Sequence, residues 1–190
     1  MKILAILLIL CLTVLASSTQ AQRKMPCVEM VVEGRGSIVV ELRPDQAPKL
    51  VKHFLGLVDS EFYDGMLFHR KVDNFVIQSG DPASKKWTPE KARKNPGESG
   101  GTEGLGDGGS GRTVPFEIND LVHDKYTIGM ALESPMSATG DSQFFINLKD
   151  NHRLNGMYEV FGRVVEGFDV VDKVQRGDRI KVVRRTKSPR

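Results

Sequence analysis

The chain is cut into short apolar runs that mostly follow one another without helices between them. From Leu67 onward they are Leu67–Lys71, Phe75–Ser79, Val114–Ile118, Tyr126–Met130, Gln143–Leu148 and Val160–Val165, with "RIKVVRR" as a final strand. Before them, "CVEMVVEGRGSIVVELRP" predicts strands over Cys27–Val32 and Ser37–Leu42, joined by a hairpin at Gly34-Arg35-Gly36, where glycine permits positive φ. Two helices are predicted. "DQAPKLVKHFLGLVDSEFYDG" has Asp45 to cap it, Pro48 in its first turn, and Leu50, Val51, Phe54, Leu55 and Val58 at helical spacing. "GFDVVDKV" is shorter. About eight short strands and only two helices exclude a parallel α/β sheet and predict a mainly β, antiparallel barrel, with the helices placed to plug its open ends.

The first 21 residues differ from the rest. Lys2 is their only charge, Ile3–Leu15 is an apolar run too short to span a bilayer comfortably, and small and polar residues follow from Ala16 to Ala21. That order predicts a secretory signal peptide over 1–21, cut after Ala21 or, as second choice, Ala16, against the alternative of an uncleaved anchor. The expected location is outside the cytoplasm, periplasmic or secreted, with no stable membrane insertion after cleavage. Roughly 170 residues remain, enough for one domain over 22–183 with a short basic tail over 184–190. Cys11 leaves with the signal, so Cys27 has no partner for an intramolecular disulfide. A net charge of +3 gives no reason to expect nucleic acid. No apolar stripe is left over once the core is assigned, which predicts a monomer.

Residues 82–112 form a long loop, basic in its first half and dense in glycine in its second. The basic half would favour acidic clients. Within the loop, "GLGDGG" (Gly104–Gly109) matches a dinucleotide fingerprint, but it lacks a preceding strand and a following helix, so a flexible loop is the expectation. His53, His69, His123 and His152 do not fall at zinc-site spacings, and no metal or cofactor is predicted. His53 falls on the first helix, facing solvent. Ser79 and Ser142 lie outside any G-x-S-x-G elbow.

"GMLFHRKVDNFVIQSGD", Gly65–Asp81, concentrates polar side chains among apolar ones without a nucleophile and base. Alternation puts Phe68, Arg70 and Val72 on one face of a strand, and Val76 and Gln78 on one face of the next. Arg70 either pairs with Asp73 or Asp81 or turns with Gln78 toward a site, and periodicity leaves this open.

"FHRKVDNFVIQSGD" resembles the signature of cyclophilin-type peptidyl-prolyl isomerases. "YTIGMALESPMSATGDSQFFIN" and "LNGMYEVFGRVVEGFDVVDKV" are similar to two further blocks of that family, in family order, so the resemblance runs from about Val28 to Val183. It implies an eight-stranded antiparallel barrel capped by two α-helices, and isomerisation of X-Pro bonds in proline-containing polypeptide clients, without a cofactor. It implies Arg70 as the catalytic arginine, assisted by Gln78. Phe75, Val76, Phe145, Leu154 and Tyr158 would wall a proline pocket. Gln78 and Gln143 would hold the substrate backbone, and Ala131 would line the adjoining groove. Three positions depart from the eukaryotic cytosolic pattern: Val76 replaces methionine, Tyr158 replaces histidine, and Arg153 replaces the tryptophan that grips cyclosporin, so weak cyclosporin binding is expected. Two other readings stand beside the enzyme. One is a non-catalytic chaperone module that binds proline peptides, disfavoured by the joint presence of Arg70, Phe75, Gln78 and Phe145. The other is a small-ligand barrel of the lipocalin kind, disfavoured by the two capping helices and the long polar loop.

Overall fold

In the computed structural model the described residues are 24–97 and 100–189, so the signal peptide expected over 1–21 lies outside them. The predicted hairpin is present as β1 (Cys27–Val32) and β2 (Gly36–Leu42). Gly34 and Gly36 take φ of +69° and +123° in its turn, a region closed to most side chains. Val28, Met30 and Val32 alternate inward on β1, and Ile38, Val40 and Leu42 do so on β2, with Met30 opposite Ile38.

Helix α1 (Pro48–Asp59) buries the five apolar residues its periodicity singled out. Phe54 is its deepest contact, with ring centroids 5.1 Å from Phe161 and 5.2 Å from Tyr63. Its N-terminus corrects the expectation from sequence. Asp45 does not cap it, because its carboxylate pairs with Arg43 at 2.7 Å. The free amides of Lys49 and Leu50 instead donate to the Glu117 carboxylate at 3.2 and 2.9 Å. A distant acid thus satisfies the helix end and meets its dipole.

Six more strands complete the sheet: β3 (Arg70–Val72), β4 (Val76–Ser79), β5 (Thr127–Met130), β6 (Phe144–Asn147), β7 (Val160–Glu166) and β8 (Ile180–Thr186). They pair antiparallel in the order β3-β4-β6-β5-β7-β2-β1-β8. The two ends of this order meet. Leu67 bridges Arg179, and the Phe68 amide donates to the Asp178 carbonyl at 2.9 Å. Helix α1 packs on β8, and a short α3 (Phe168–Lys173) packs on β2.

Three expectations fail. Among the described residues the run Val114–Ile118 makes one bridge, Val114 to Gly140; Pro115 interrupts it, Glu117 is engaged with α1, and Ile118 lies 77% exposed. The 82–112 segment is not a featureless loop. It holds a 3-10 helix over Pro82–Lys86, capped by Asp81, and a helix α2 (Pro89–Lys94), capped by Thr88. The basic tail begins later than Val183, since β8 continues to Thr186 and pairs Arg184 with Glu29 at 2.8 Å and Arg185 with Asp59 at 2.6 Å. No helix among the described residues is long and apolar enough to cross a membrane.

Candidate active site

The register of the β3–β4 pair sets Arg70 opposite Gln78. Arg70 Nη1 donates to Gln78 Oε1 at 3.3 Å, and Gln78 Nε2 donates to Gln143 Oε1 at 2.9 Å. Gln143 Nε2 donates in turn to the carbonyls of Gly106 and Gly108 at 2.7 and 2.8 Å. Neither aspartate suggested by the sequence holds Arg70. Asp73 lies 3.6 Å from Lys71 Nζ, and Asp81 accepts the amides of Ala83 and Gly106. Burial pushes the Arg70 pKa down from the usual arginine range, and Tyr158 pulls it back up. A guanidinium starts so high that it remains a cation.

Beside this polar line lies an apolar cluster. Val76, Phe145 and Leu154 are buried together, and Phe75, Ala131, Met157 and Tyr158 pack against them. A cavity of about 210 Å³ opens over the cluster, and Arg70 and Gln78 reach into its wall. The structure therefore brings Arg70, Phe75, Val76, Gln78, Ala131, Phe145, Leu154 and Tyr158 around one cavity. Gln143 lines a second one, of about 270 Å³, which shares Gln78, Ala131 and Leu132 with the first.

The floor is set by residues the sequence did not single out. Phe145 lies across Gly129 so closely that a Cβ there would stand 2.6 Å from its Cζ. On its other contacts, Phe145 stacks on His123 at 5.6 Å and 14°, and meets Tyr158 edge-on at 6.1 Å. His123 is fully buried and bonded at both ring nitrogens: Nε2 to the Tyr158 carbonyl at 3.1 Å, Nδ1 to Asn147 Nδ2 at 3.2 Å. The amide nitrogen must donate, so Nδ1 accepts and the ring is the neutral Nε2–H tautomer. Burial pushes its pKa down. Asn151 Nδ2 donates to Asn147 Oδ1 at 2.7 Å and to the Phe75 carbonyl at 3.0 Å. The network ties the backbone of Phe75 to that of Tyr158, two walls of the cavity. Sequence carried no sign of it, because Phe75, His123, the Asn147–Asn151 pair and Tyr158 come from separate segments.

The glycine-rich stretch is part of the site rather than a free loop. Its carbonyls fix the Gln143 amide, its Gly106 amide sits on Asp81 at 2.6 Å, and the amides of Ser110 and Gly111 bond Asp141, both at 2.9 Å. The loop's lysines do not line either cavity; Lys85 and Lys91 sit over the rings of Phe62 and Trp87. His53, expected to face solvent, is half-buried, with Nε2 3.0 Å from the Asp141 carbonyl, because the 110–112 segment folds over α1. Asp124, Asp150 and His152 come within 4.8 Å of one another, but they are exposed, and His152 Nε2 already bonds Asp124 at 2.7 Å.

The described residues thus set an arginine–glutamine line beside an aromatic pocket on an antiparallel sheet whose ends meet. The family model for the cyclophilin type peptidyl-prolyl cis-trans isomerase matches residues 27–189. The chain belongs to that family and is of the peptidyl-prolyl isomerase class. It is 40% identical over 152 residues to a peptidyl-prolyl cis-trans isomerase, cyp18, of Streptomyces antibioticus, covering 74% of this chain and 78% of that one. It is 32% identical over 154 residues to peptidyl-prolyl cis-trans isomerase B of Bacillus subtilis, covering 81% and 94%. The crystal structure of a cyclophilin type peptidyl-prolyl cis-trans isomerase from Cryptosporidium parvum superposes with a TM-score of 0.70 at 27% identity, over 87% of this chain and 99% of that one. That protein was also solved in the presence of the dipeptide Ala-Pro, with a TM-score of 0.69.

Proposed function

We propose that the protein isomerises X-Pro bonds in extended client segments, with Arg70 as the catalytic group. The observation that carries this is the placement of Arg70 and Gln78 in the wall of the cavity over Phe145. Rotation about an X-Pro bond crosses a barrier because it breaks amide resonance, and no covalent bond is made or broken. Only the twisted amide has to be favoured. In that state the proline nitrogen regains a lone pair and accepts a hydrogen bond. Arg70 donates to it, an interaction weak in either planar form. Val76, Phe145 and Leu154 enclose the proline ring, Phe75 and Tyr158 close its sides, and Gln78 and Gln143 hold the backbone around it. The planar amide is the more polar form, so an apolar cavity raises the ground state toward the twisted one.

A rate gain on the order of 10⁵ needs about 7 kcal/mol. One preorganised donor supplies roughly 3–4 kcal/mol of that, and desolvation and anchoring must supply the rest. A protease-coupled cis/trans assay on a short Ala-Pro-Phe peptide tests the reading. The protein accelerates isomerisation, and Phe75→Ala raises KM. A folded protein without acceleration would leave the alternative, a proline-peptide-binding chaperone.

The clients are exported proteins in this proposal, supported by the order of charge, apolar run and small residues over 1–21. Fractionating bacteria that express the chain with and without those residues tests it; cytoplasmic retention of both forms refutes it. The same proposal holds cyclosporin binding to be weak, since Arg153 offers no indole.

A further inference from the structure

Among the described residues, the two cavities of the groove are lined by side chains of opposite charge. The one over Phe145 has Arg70 in its lining and no carboxylate among the described residues. At its mouth the turn over His152–Leu154 presents Arg153, exposed, with its guanidinium carbon 4.8 Å from the Phe75 ring centroid. A cation over an aromatic face is held by the ring's quadrupole, so this charge stays at the rim instead of sweeping through solvent. No ion pair between described residues engages Arg153; Asp150, the acid nearest in sequence, accepts the Lys125 amide, and Asp124 bonds His152. Among the described residues the adjoining cavity is lined by Asp107, Glu133 and Asp141 and by no lysine or arginine. Asp141 is taken up by the amides of Ser110 and Gly111, whereas Asp107 and Glu133 are exposed and outside every ion pair between described residues.

We propose that Arg153 and the Asp107–Glu133 pair select client segments by the order of their charges. The favoured segment carries an acidic side chain on the Arg153 side of the proline and a basic one on the other side. The inference rests on the isomerase reading and names its substrate class. A peptide lying across Gln78 and Ala131 touches both cavities at once, so its two flanks meet opposite potentials. Complementary charge raises the encounter rate and the fit of the correct segment, and like charge opposes the reversed one. The selecting groups are exposed, so the effect is a matter of a few-fold and fades as salt shortens the Debye length.

The test uses three peptides around one Ala-Pro core: neutral flanks, Lys before and Glu after the proline, and Glu before and Lys after. Wild type should turn over one member of the charged pair at least about threefold faster in kcat/KM at low salt, with the ratio falling toward one in about 0.5 M salt. Arg153→Gln and Glu133→Gln should each reduce the ratio, and Arg153→Glu should reduce it further or invert it. Each ratio is taken within one protein, so a loss of folded fraction cancels. Equal turnover of the charged pair, with the neutral peptide still accelerated, overturns the charge selection and leaves the isomerase. A ratio that survives in Arg153→Glu also overturns it. No acceleration of the neutral peptide overturns the isomerase reading and the selection with it.

Discussion

Gly129 matters for what it lacks. With the Phe145 Cζ 2.6 Å from where its Cβ would stand, Gly129→Ala has to push the ring out of the cavity floor. The expected result is a KM raised several-fold, with about 1–3 kcal/mol lost from stability by overpacking. Steady-state kinetics beside a melting curve read both, and an unchanged KM would show that Phe145 is not where the proline ring rests. At this scale the sequence was legible in part. Arg70 and Gln78 stood out as polar residues on apolar strands, but only the register that sets them opposite each other settles whether Arg70 faces Asp73, Asp81 or the site. His123, Asn147 and Asn151 gave no signal, because a buried hydrogen-bond network has no sequence period. The glycines at 106 and 108 looked like slack chain, yet their carbonyls orient Gln143.

Asp81 shows how an element is held. One carboxylate caps the 3-10 helix through the Ala83 amide at 2.8 Å and pins the glycine stretch through the Gly106 amide at 2.6 Å. Asp81→Ala leaves two amides without acceptors in a partly buried place, at a cost of about 1–3 kcal/mol. Hydrogen exchange at residues 83 and 106 should accelerate while exchange in β1 and β2 follows only the global loss. Uniform protection would mean the loop is held by other contacts. Elements were legible where their pattern is local. The apolar spacing of α1 and the alternation of β1 and β2 were readable for that reason. The cap of α1 was not, since its acceptor, Glu117, lies far along the chain. Val114–Ile118 has strand-like residues but no neighbouring strand to bond, which composition cannot reveal.

The sheet order belongs to the whole molecule. Periodicity predicted an antiparallel barrel, but it did not give the neighbours of each strand, because pairing between segments as distant as β1 and β8 leaves no local mark. Closing the sheet buries His69 where the segment before β3 meets β8. Its pKa is lowered from 6.5 to about 4, first by burial and then by the Arg70 charge, against an opposing pull from Asp81. Below pH 6.5 the unfolded chain takes up a proton that the folded one refuses until about pH 4. This contribution is therefore complete above pH 6.5 and is lost as the pH falls toward 4, on the order of 3 kcal/mol in all. His123, also lowered, acts in the same direction. Denaturation at a series of pH values should show a shallower acid loss in His69→Leu than in wild type; parallel curves would mean the imidazole is solvated. In the proposed mechanism all of this scaffolding serves one guanidinium, and the most direct measurement is isomerisation of an Ala-Pro-Phe peptide by wild type, Arg70→Lys and Arg70→Ala. The account predicts that Arg70→Ala, still folded by melting and circular dichroism, loses about 10²–10³-fold in kcat/KM. Arg70→Lys should recover little of it, because a point charge lacks the fork. A folded Arg70→Ala that turns over the peptide as wild type does would contradict the account.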